Sequence, residues 1–299
     1  MGPVLAEGRV GAPRARWNDL ITRVLSAAVL LPVALYCIWS GGVFFNALIG
    51  VGCVVLALEW SGMCGIDPGS PRMFWLPALI AGVAAATIFH SALLALSLLL
   101  AGSVLTAVLS GAWTTHAPSP RGAGRGVGGQ AGRLNLAFGV PYLGMAAVAL
   151  LWLRADPVAG WPNTIFILCI VWGSDIGAYM IGRLCGGPKL APSVSPGKTW
   201  SGAAGGLAAA ALAGIAVAAC FSAGFSPSHV AELAVGLGIV SQAGDLLESA
   251  LKRHFGVKDS GRIIPGHGGL LDRVDAVLAV APVAAVLAFS VGRGVVLWR

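Results

Sequence analysis

Charge is what this chain has least of. Asp, Glu, Lys and Arg make up 10% of its 299 residues, where a soluble domain carries about 25%. Apolar residues make up 57%, which excludes disorder over most of the length, because disorder needs low hydrophobicity. A chain this apolar would not stay dissolved, so it is expected to span a bilayer many times. Its 43 glycines agree, since small residues let membrane helices approach closely. Cysteine pairing is absent too. Cys37, Cys53, Cys64, Cys169, Cys185 and Cys220 are scattered, mostly through apolar runs, without CxxC spacing. They read as small packing residues, neither a disulfide frame nor a zinc site. No convincing internal repeat is present, which disfavours an inverted-repeat transporter. No cleavable signal peptide is evident. Arg9, Arg14, Arg16 and Arg23 precede an uncharged run from Val24 to Leu58, too long for a signal sequence and expected to form an uncleaved first hairpin.

What is present is a series of apolar runs of the length a spanning helix needs, about 20 residues. Nine candidates lie near 24–40, 42–58, 74–90, 92–112, 135–153, 161–182, 201–222, 229–251 and 273–292. The expected fold is therefore all-α, a polytopic integral membrane protein of about nine transmembrane helices. The net charge of +7 would point to nucleic acid in a soluble protein; here it is read by position, and no nucleic-acid partner is expected. With a cytoplasmic N-terminus, sixteen of the nineteen Lys and Arg fall on the cytoplasmic side, and only Arg154, Arg293 and Arg299 fall outside. The positive-inside rule thus supports nine helices and an outside C-terminus. The expected divisions are a cytoplasmic segment 1–23, N-terminal transmembrane helices 24–112, a cytoplasmic Gly- and Arg-rich linker 113–134, and a catalytic transmembrane region 135–299.

Acidic residues are concentrated. Of twelve, five lie within 245–275: Asp245, Glu248, Asp259, Asp272 and Asp275. Lys252, Arg253, Lys258, Arg262, Arg273, His254 and His267 share that stretch. Ser241, Asp245, Glu248 and Lys252 follow spacings of 4, 3 and 4, so they share one helical face. Asp245 lies roughly 10 Å inside the eighth helix at about 1.5 Å per residue. A carboxylate there is costly in lipid and should face the bundle or a wet cavity. Asp272 and Asp275 open the ninth helix after His267-Gly268-Gly269, so carboxylates of two helices can meet at the cytoplasmic rim. Carboxylates converging near phosphates usually hold Mg²⁺, which prefers oxygen and keeps some waters. Flanking Lys and Arg neutralise phosphate oxygens. The plainer alternative, a positive-inside loop with salt bridges at helix ends, leaves the intramembrane Asp245 unexplained.

A second patch holds Asp175, Tyr179 and Arg183 on one face of an apolar helix, either lining a functional cavity or making a structural hydrogen bond. The loop after it carries Ser195-Pro-Gly-Lys-Thr-Trp200. Gly197-Lys198-Thr199 resembles part of a P-loop, but Pro192 stands where that motif needs Gly and no βαβ pattern precedes it. Lys198 can still meet a phosphate near the start of a helix, while Thr199 has the alternative role of a helix cap.

The run from Ser249 to Asp275, with its Lys252-Arg253, Lys258-Asp259, His267-Gly268-Gly269 and Asp272-Arg273-Val-Asp275, resembles the C-terminal signature of the phosphatidate cytidylyltransferases. Gly244-Asp245, Glu248-Ser249, Asp175-x-Gly-Ala-Tyr179 and Ser195-Pro-x-Lys198-Thr199-Trp200 resemble the same family. One departure is Ser201, where the family pattern has Glu. The resemblance implies the reaction CTP + phosphatidate → CDP-diacylglycerol + pyrophosphate, a bacterial inner-membrane location with the site facing the cytoplasm, a homodimer, and a metal site at Asp245 and Asp272. Phosphatidate already carries a nucleophilic phosphate oxygen, so the chemistry asks for positioning and charge neutralisation. The expected assignments follow. Mg²⁺ sits on Asp245 and Asp272, with Asp175 or Asp275 assisting or holding a second cation such as K⁺. Lys252, Arg253, Lys258, Arg273 and Lys198 meet phosphates, and His267 orients phosphate or Asp272. Asp259 and Asp275 complete the catalytic set; Asp175, Tyr179, Ser195, Lys198, Thr199 and Glu248 form the substrate-binding set. The rivals are a CTP-dependent lipid kinase, which moves the γ-phosphate, and a cation-coupled transporter, which leaves the basic loop unexplained. A CDP-alcohol phosphatidyltransferase lacks support, since no DxxDGxxAR run is present.

Overall fold

The computed structural model describes residues 13–113 and 130–299 apart from Arg262, Pro265 and His267. Nine long helices run through these residues: α1 (Pro13–Ser40), α2 (Gly42–Met63), α3 (Trp75–Ile88), α4 (Ala92–Trp113), α5 (Gln130–Arg154), α6 (Gly160–Cys185), α7 (Trp200–Phe221), α8 (Pro227–His254) and α9 (Leu271–Val291). All nine predicted runs are helical. Eight stretches among the described residues are long and apolar enough to cross a bilayer; the second of them counts the 3₁₀ turn Pro71–Phe74 together with α3, and α1 contributes a shorter apolar part, Ala28–Ser40. The chain is a polytopic all-α membrane protein. Helix α5 begins within the segment read as a linker, and 114–129 lie outside the described residues.

One small element was not predicted. Between α6 and α7 the chain makes an antiparallel hairpin, β1 (Lys189–Ala191) with β2 (Ser195–Thr199), pairing Lys189 with Thr199 and Ala191 with Ser195. It delivers Lys198 to the start of α7, where the Thr199 hydroxyl accepts from Gly202 N at 3.1 Å. Thr199 is thus the helix cap.

Close helix contact is set by glycine. A Cβ on Gly177 of α6 would stand 2.8 Å from Gly205 O, and one on Gly206 of α7 would stand 2.8 Å from Ser174 O. The two backbones therefore touch along a face of small residues, as membrane interfaces favour. Gly244 does the same for α8, with Ala279 of α9 2.5 Å from where its Cβ would be. These contacts bring Asp175, Asp245 and Asp275 to the same interior. One apolar cluster fills the space around α6–α9, including Phe166, Ile170, Leu237 and Val280. A second packs α2, α3 and α5 around Trp60, Ile80, Val140 and Leu143.

The far end of the bundle is closed by Asp156. Its Oδ1 accepts from Val158 N and Ala159 N at 2.9 and 2.8 Å, and its Oδ2 from Gly294 N at 2.7 Å. It thereby starts α6 and pins the C-terminal tail, whose Trp298 packs on Phe166 with centroids 4.7 Å apart. Burial pushes the Asp156 carboxyl up, but the three N–H donors and Arg293 outweigh it and hold the group below the usual range. A depressed folded-state pKa adds stability above the unfolded value of about 3.9, and that stability is lost as pH falls through the lower folded value. Asp156→Asn should therefore melt below the parent near neutral pH, and the gap should close in strong acid. Thermal unfolding in detergent across that range checks this; a gap independent of pH would contradict it.

Candidate active site

The charged face predicted on α8 meets the start of α9. Lys252 Nζ lies 2.6 Å from Glu248 Oε2, one turn earlier, and 2.7 Å from Asp272 Oδ1. Glu248 is 1% exposed and its Oε1 has no hydrogen-bond partner. A half-buried cation between two carboxylates offsets part of their charge, which low-polarity surroundings make costly.

Asp272 also organises the preceding loop. Its Oδ2 accepts from Ser260 N at 3.0 Å and Gly269 N at 3.1 Å, and the Ser260 hydroxyl lies 3.0 Å away. A carboxylate offers about four lone-pair positions, and with Lys252 on Oδ1 most of those of Asp272 are engaged. The same loop is held from the other side by Glu59, near the end of α2. Glu59 is 5% exposed; its Oε1 accepts from Leu270 N at 2.9 Å and its Oε2 from Leu271 N at 2.8 Å. The Ser260 hydroxyl stands 3.3 Å from Glu59 Oε2 and donates to one carboxylate at a time. Glu59 therefore caps α9, its two oxygens taking backbone N–H groups at the positive end of the helix dipole. Gly261 and Gly269 lie against it, where any Cβ would collide with its side chain. Trp60, fully buried, donates to Asn135 O at 3.1 Å and meets Phe255 edge-on, which fixes this end of α2.

A second group lies deeper. Lys198 Nζ is 2.5 Å from Asp245 Oδ2, and the Asp245 side chain is 32% exposed. Asp175 and Asp275 each lie within the electrostatic field of Asp245. Asp275 Oδ1 accepts from Ala276 N at 2.8 Å. The site is thus two linked ionic groups: Lys198 with Asp175, Asp245 and Asp275, and Lys252 with Glu248 and Asp272.

Other predicted residues stand apart. Tyr179 accepts from Arg183 Nη1 at 2.9 Å and is 66% exposed. Arg253, Lys258, Asp259 and Arg273 are exposed around the loop, and Arg253 donates to Val257 O at 3.3 Å. Ser195 pairs with Ala191 in the hairpin. His267 lies outside the described residues. Ser201, in place of the family Glu, bonds Gly186 O and the Thr199 hydroxyl, so the position ties the hairpin to α7. Sequence reasoning missed Glu59 and Ser260. A lone Glu ending an apolar helix was the available signal for the first.

Mg²⁺ needs only one or two carboxylates when substrate phosphates complete its shell. Asp245 fits: it is part-exposed, with one strong partner, and has two carboxylates nearby. Asp272 as placed has most of its lone pairs taken. Among the described residues no three His, Cys, Asp or Glu side chains gather as a metal cage.

Residues 21–291 match the model of the cytidylyltransferase family. The chain belongs to this family. Among its relatives is a protein of Brucella suis named phosphatidate cytidylyltransferase, 40% identical over 269 residues, covering 88% of this chain and 91% of that one. A Pseudomonas aeruginosa protein of the same name is 37% identical over 275 residues, covering 91% and 98%. One from Staphylococcus saprophyticus is 36% identical over 158 residues, covering 53% and 61%. In this cytidylyltransferase, Glu59 fixes the loop that carries the site. Replacing it by Gln keeps one acceptor oxygen and puts an amide N–H₂ against the other backbone N–H, whose lost partner costs about 1–3 kcal/mol in the interior. Glu59→Gln should lower the unfolding temperature and open residues 256–270 to limited proteolysis. An unchanged cleavage pattern would show that Glu59 does not hold the loop.

Proposed function

We propose that this chain transfers cytidylate from CTP to phosphatidic acid, giving CDP-diacylglycerol and pyrophosphate for phospholipid synthesis. The observation that carries the reading is the meeting of Lys198 and Lys252 with intramembrane carboxylates at one end of an apolar bundle, in a chain whose full-length relatives bear that name. A phosphate oxygen of phosphatidate attacks the α-phosphorus of CTP. The new P–O bond forms as the bond to the bridging α–β oxygen breaks, and pyrophosphate leaves with that electron pair. No protein nucleophile is required. The protein must align two polyanions and offset charge.

Lys198 and Lys252 are assigned to phosphate oxygens, with Arg253, Lys258 and Arg273 around the mouth and His267 orienting phosphate or Asp272. Asp175, Tyr179, Ser195, Thr199 and Glu248 are assigned to the substrate side, Asp259 and Asp275 to support of the ionic groups. Mg²⁺ is assigned to Asp245, joined by Asp272, and when bound it supplies charge neutralisation at the α-phosphate and the leaving pyrophosphate. Asp272 becomes a donor if Lys252 leans onto Glu248, whose Oε1 is unpartnered, or onto a substrate phosphate. Asp175 or Asp275 is assigned to assist or to hold a second cation such as K⁺. The assigned setting is the bacterial inner membrane with the site toward cytoplasmic CTP and the lipid entering between helices. A homodimer is proposed from the family resemblance.

Two measurements test this. Label from α-³²P CTP should enter lipid and label from γ-³²P CTP should not; the reverse establishes a kinase. Lys252→Met should lower kcat by roughly 10²–10³-fold, the scale of losing one positioned charge partner. Full activity in a folded Lys252→Met protein would remove Lys252 from the mechanism.

A further inference from the structure

A cavity of about 350 Å³ lies at the end of the bundle opposite the reaction site. It is bordered by Asn46 near the start of α2, His90 after α3, Trp152 and Arg154 at the end of α5, Asp156, and Arg293 after α9. Helix α2 runs from this cavity at Gly42 to Glu59 at the reaction site, about 26 Å at 1.5 Å per residue. A bilayer core is about 30 Å thick, so the two sites lie at opposite membrane faces. The volume falls within the range of small-ligand pockets, which begins at about 300 Å³.

Cations are rare at this end. Arg154, Arg293 and Arg299 are the Lys and Arg found there among the described residues, and two of the three line one cavity. Arg154 Nε donates to Ile38 O at 3.0 Å and its Nη2 to Trp39 O at 2.9 Å; its guanidinium lies 5.9 Å from the centre of the Trp161 ring. Among the described residues, no carboxylate makes an ion pair with it. Arg293 is 3.9 Å from Asp156 Oδ2 and its side chain is 60% exposed. The Asp156 carboxylate is already taken by three backbone N–H groups. Two guanidinium groups thus face one committed carboxylate, which leaves the cavity one positive charge in excess. His90, at φ 59, closes α3 in a left-handed turn on the cavity edge.

The surroundings set the level in the membrane. Tyr36, Trp39, Phe44, Phe89 and Phe289 all present exposed rings at this end, Trp39 at 64% and Phe89 at 81%. Exposed aromatics of this kind gather where hydrocarbon gives way to headgroups. At that depth the abundant anion is a lipid phosphate, and guanidinium forks match phosphate oxygens in pairs. We propose that this cavity binds the phosphate of an anionic phospholipid headgroup through Arg154 and Arg293. The site is distinct from the reaction centre and does not depend on the reaction assigned there.

The test uses the full chain purified in detergent and titrated with short-chain phosphatidylglycerol at fixed ionic strength, read by thermal shift and native mass spectrometry. Phosphatidylglycerol should raise the unfolding temperature of the parent. Arg293→Gln should weaken its affinity about tenfold, the scale of one charge-assisted hydrogen bond. Lys252→Met, at the reaction site, should bind it as the parent does. Arg154→Met loses the contact to α1, so its unfolding without lipid is measured first; Arg293→Gln carries the test if that protein does not fold. Equal affinity in Arg293→Gln and parent overturns the proposal, as does loss of binding in Lys252→Met alone. Inorganic phosphate that binds at Arg293 as tightly as the lipid also overturns it, assigning the cavity to a soluble anion.

Discussion

The reaction site depends on how two carboxylates, one buried and one half-buried, are satisfied. Glu59 and Asp272 come from helices α2 and α9, and both spend their lone pairs on the backbone of one loop. In an apolar interior each of those N–H groups, left unpaired, costs about 1–3 kcal/mol. The loop is therefore determined by acceptors outside itself, and Ser260 serves both of them in turn. Once the loop is set, Asp272 is set, and with it Lys252, which spans Asp272 and Glu248. An α2 residue separated from the loop by more than 200 positions thus governs the geometry of α8 and α9.

Glycine supplies the other constraint. Gly177 and Gly206 let α6 and α7 touch, and Gly244 lets α8 meet α9 at Ala279. The approach forces Asp175, Asp245 and Asp275 into one neighbourhood. With Glu248 and Asp272 they make five carboxylates against Lys198 and Lys252. Such an excess of like charge within a membrane bundle is costly unless cations accompany it. This is the physical reason for reading the interior as a place where a cation and a nucleotide's phosphates bind together.

Much of this was legible in the sequence because charge is so scarce. Asp245, Glu248 and Lys252 stand out against apolar helix, and their spacing fixed a common face; the Glu248–Lys252 pair is found at i, i+4. The apolar runs located the helices, and only the break before α5 and the length of α1 differ. The links across the fold were not legible. Nothing local says that Lys252 also reaches Asp272, that Asp245 pairs with Lys198 rather than lying free, or that Glu59 caps α9. Those depend on helix packing, which helical periodicity does not specify. The hairpin escaped notice for a related reason: Lys189–Thr199 is short, rich in Pro and Gly, and held by its ends at α6 and α7.

The far end of the molecule follows the same logic with the sign reversed. Three arginines were exceptions to the positive-inside pattern, and exceptions in a chain so poor in charge need a cause. Arg154 provides part of one, since its guanidinium caps the last carbonyls of α1 and lies over Gly41, where a Cβ would displace it. This contact fastens the end of α1 to α5. The anchor nevertheless leaves the charge without a carboxylate partner, so neutral carbonyls satisfy its donors and not its field. An anion in the cavity would compensate that charge and hold the guanidinium where α1 needs it, coupling the placement of the first helix to the lipid beside it.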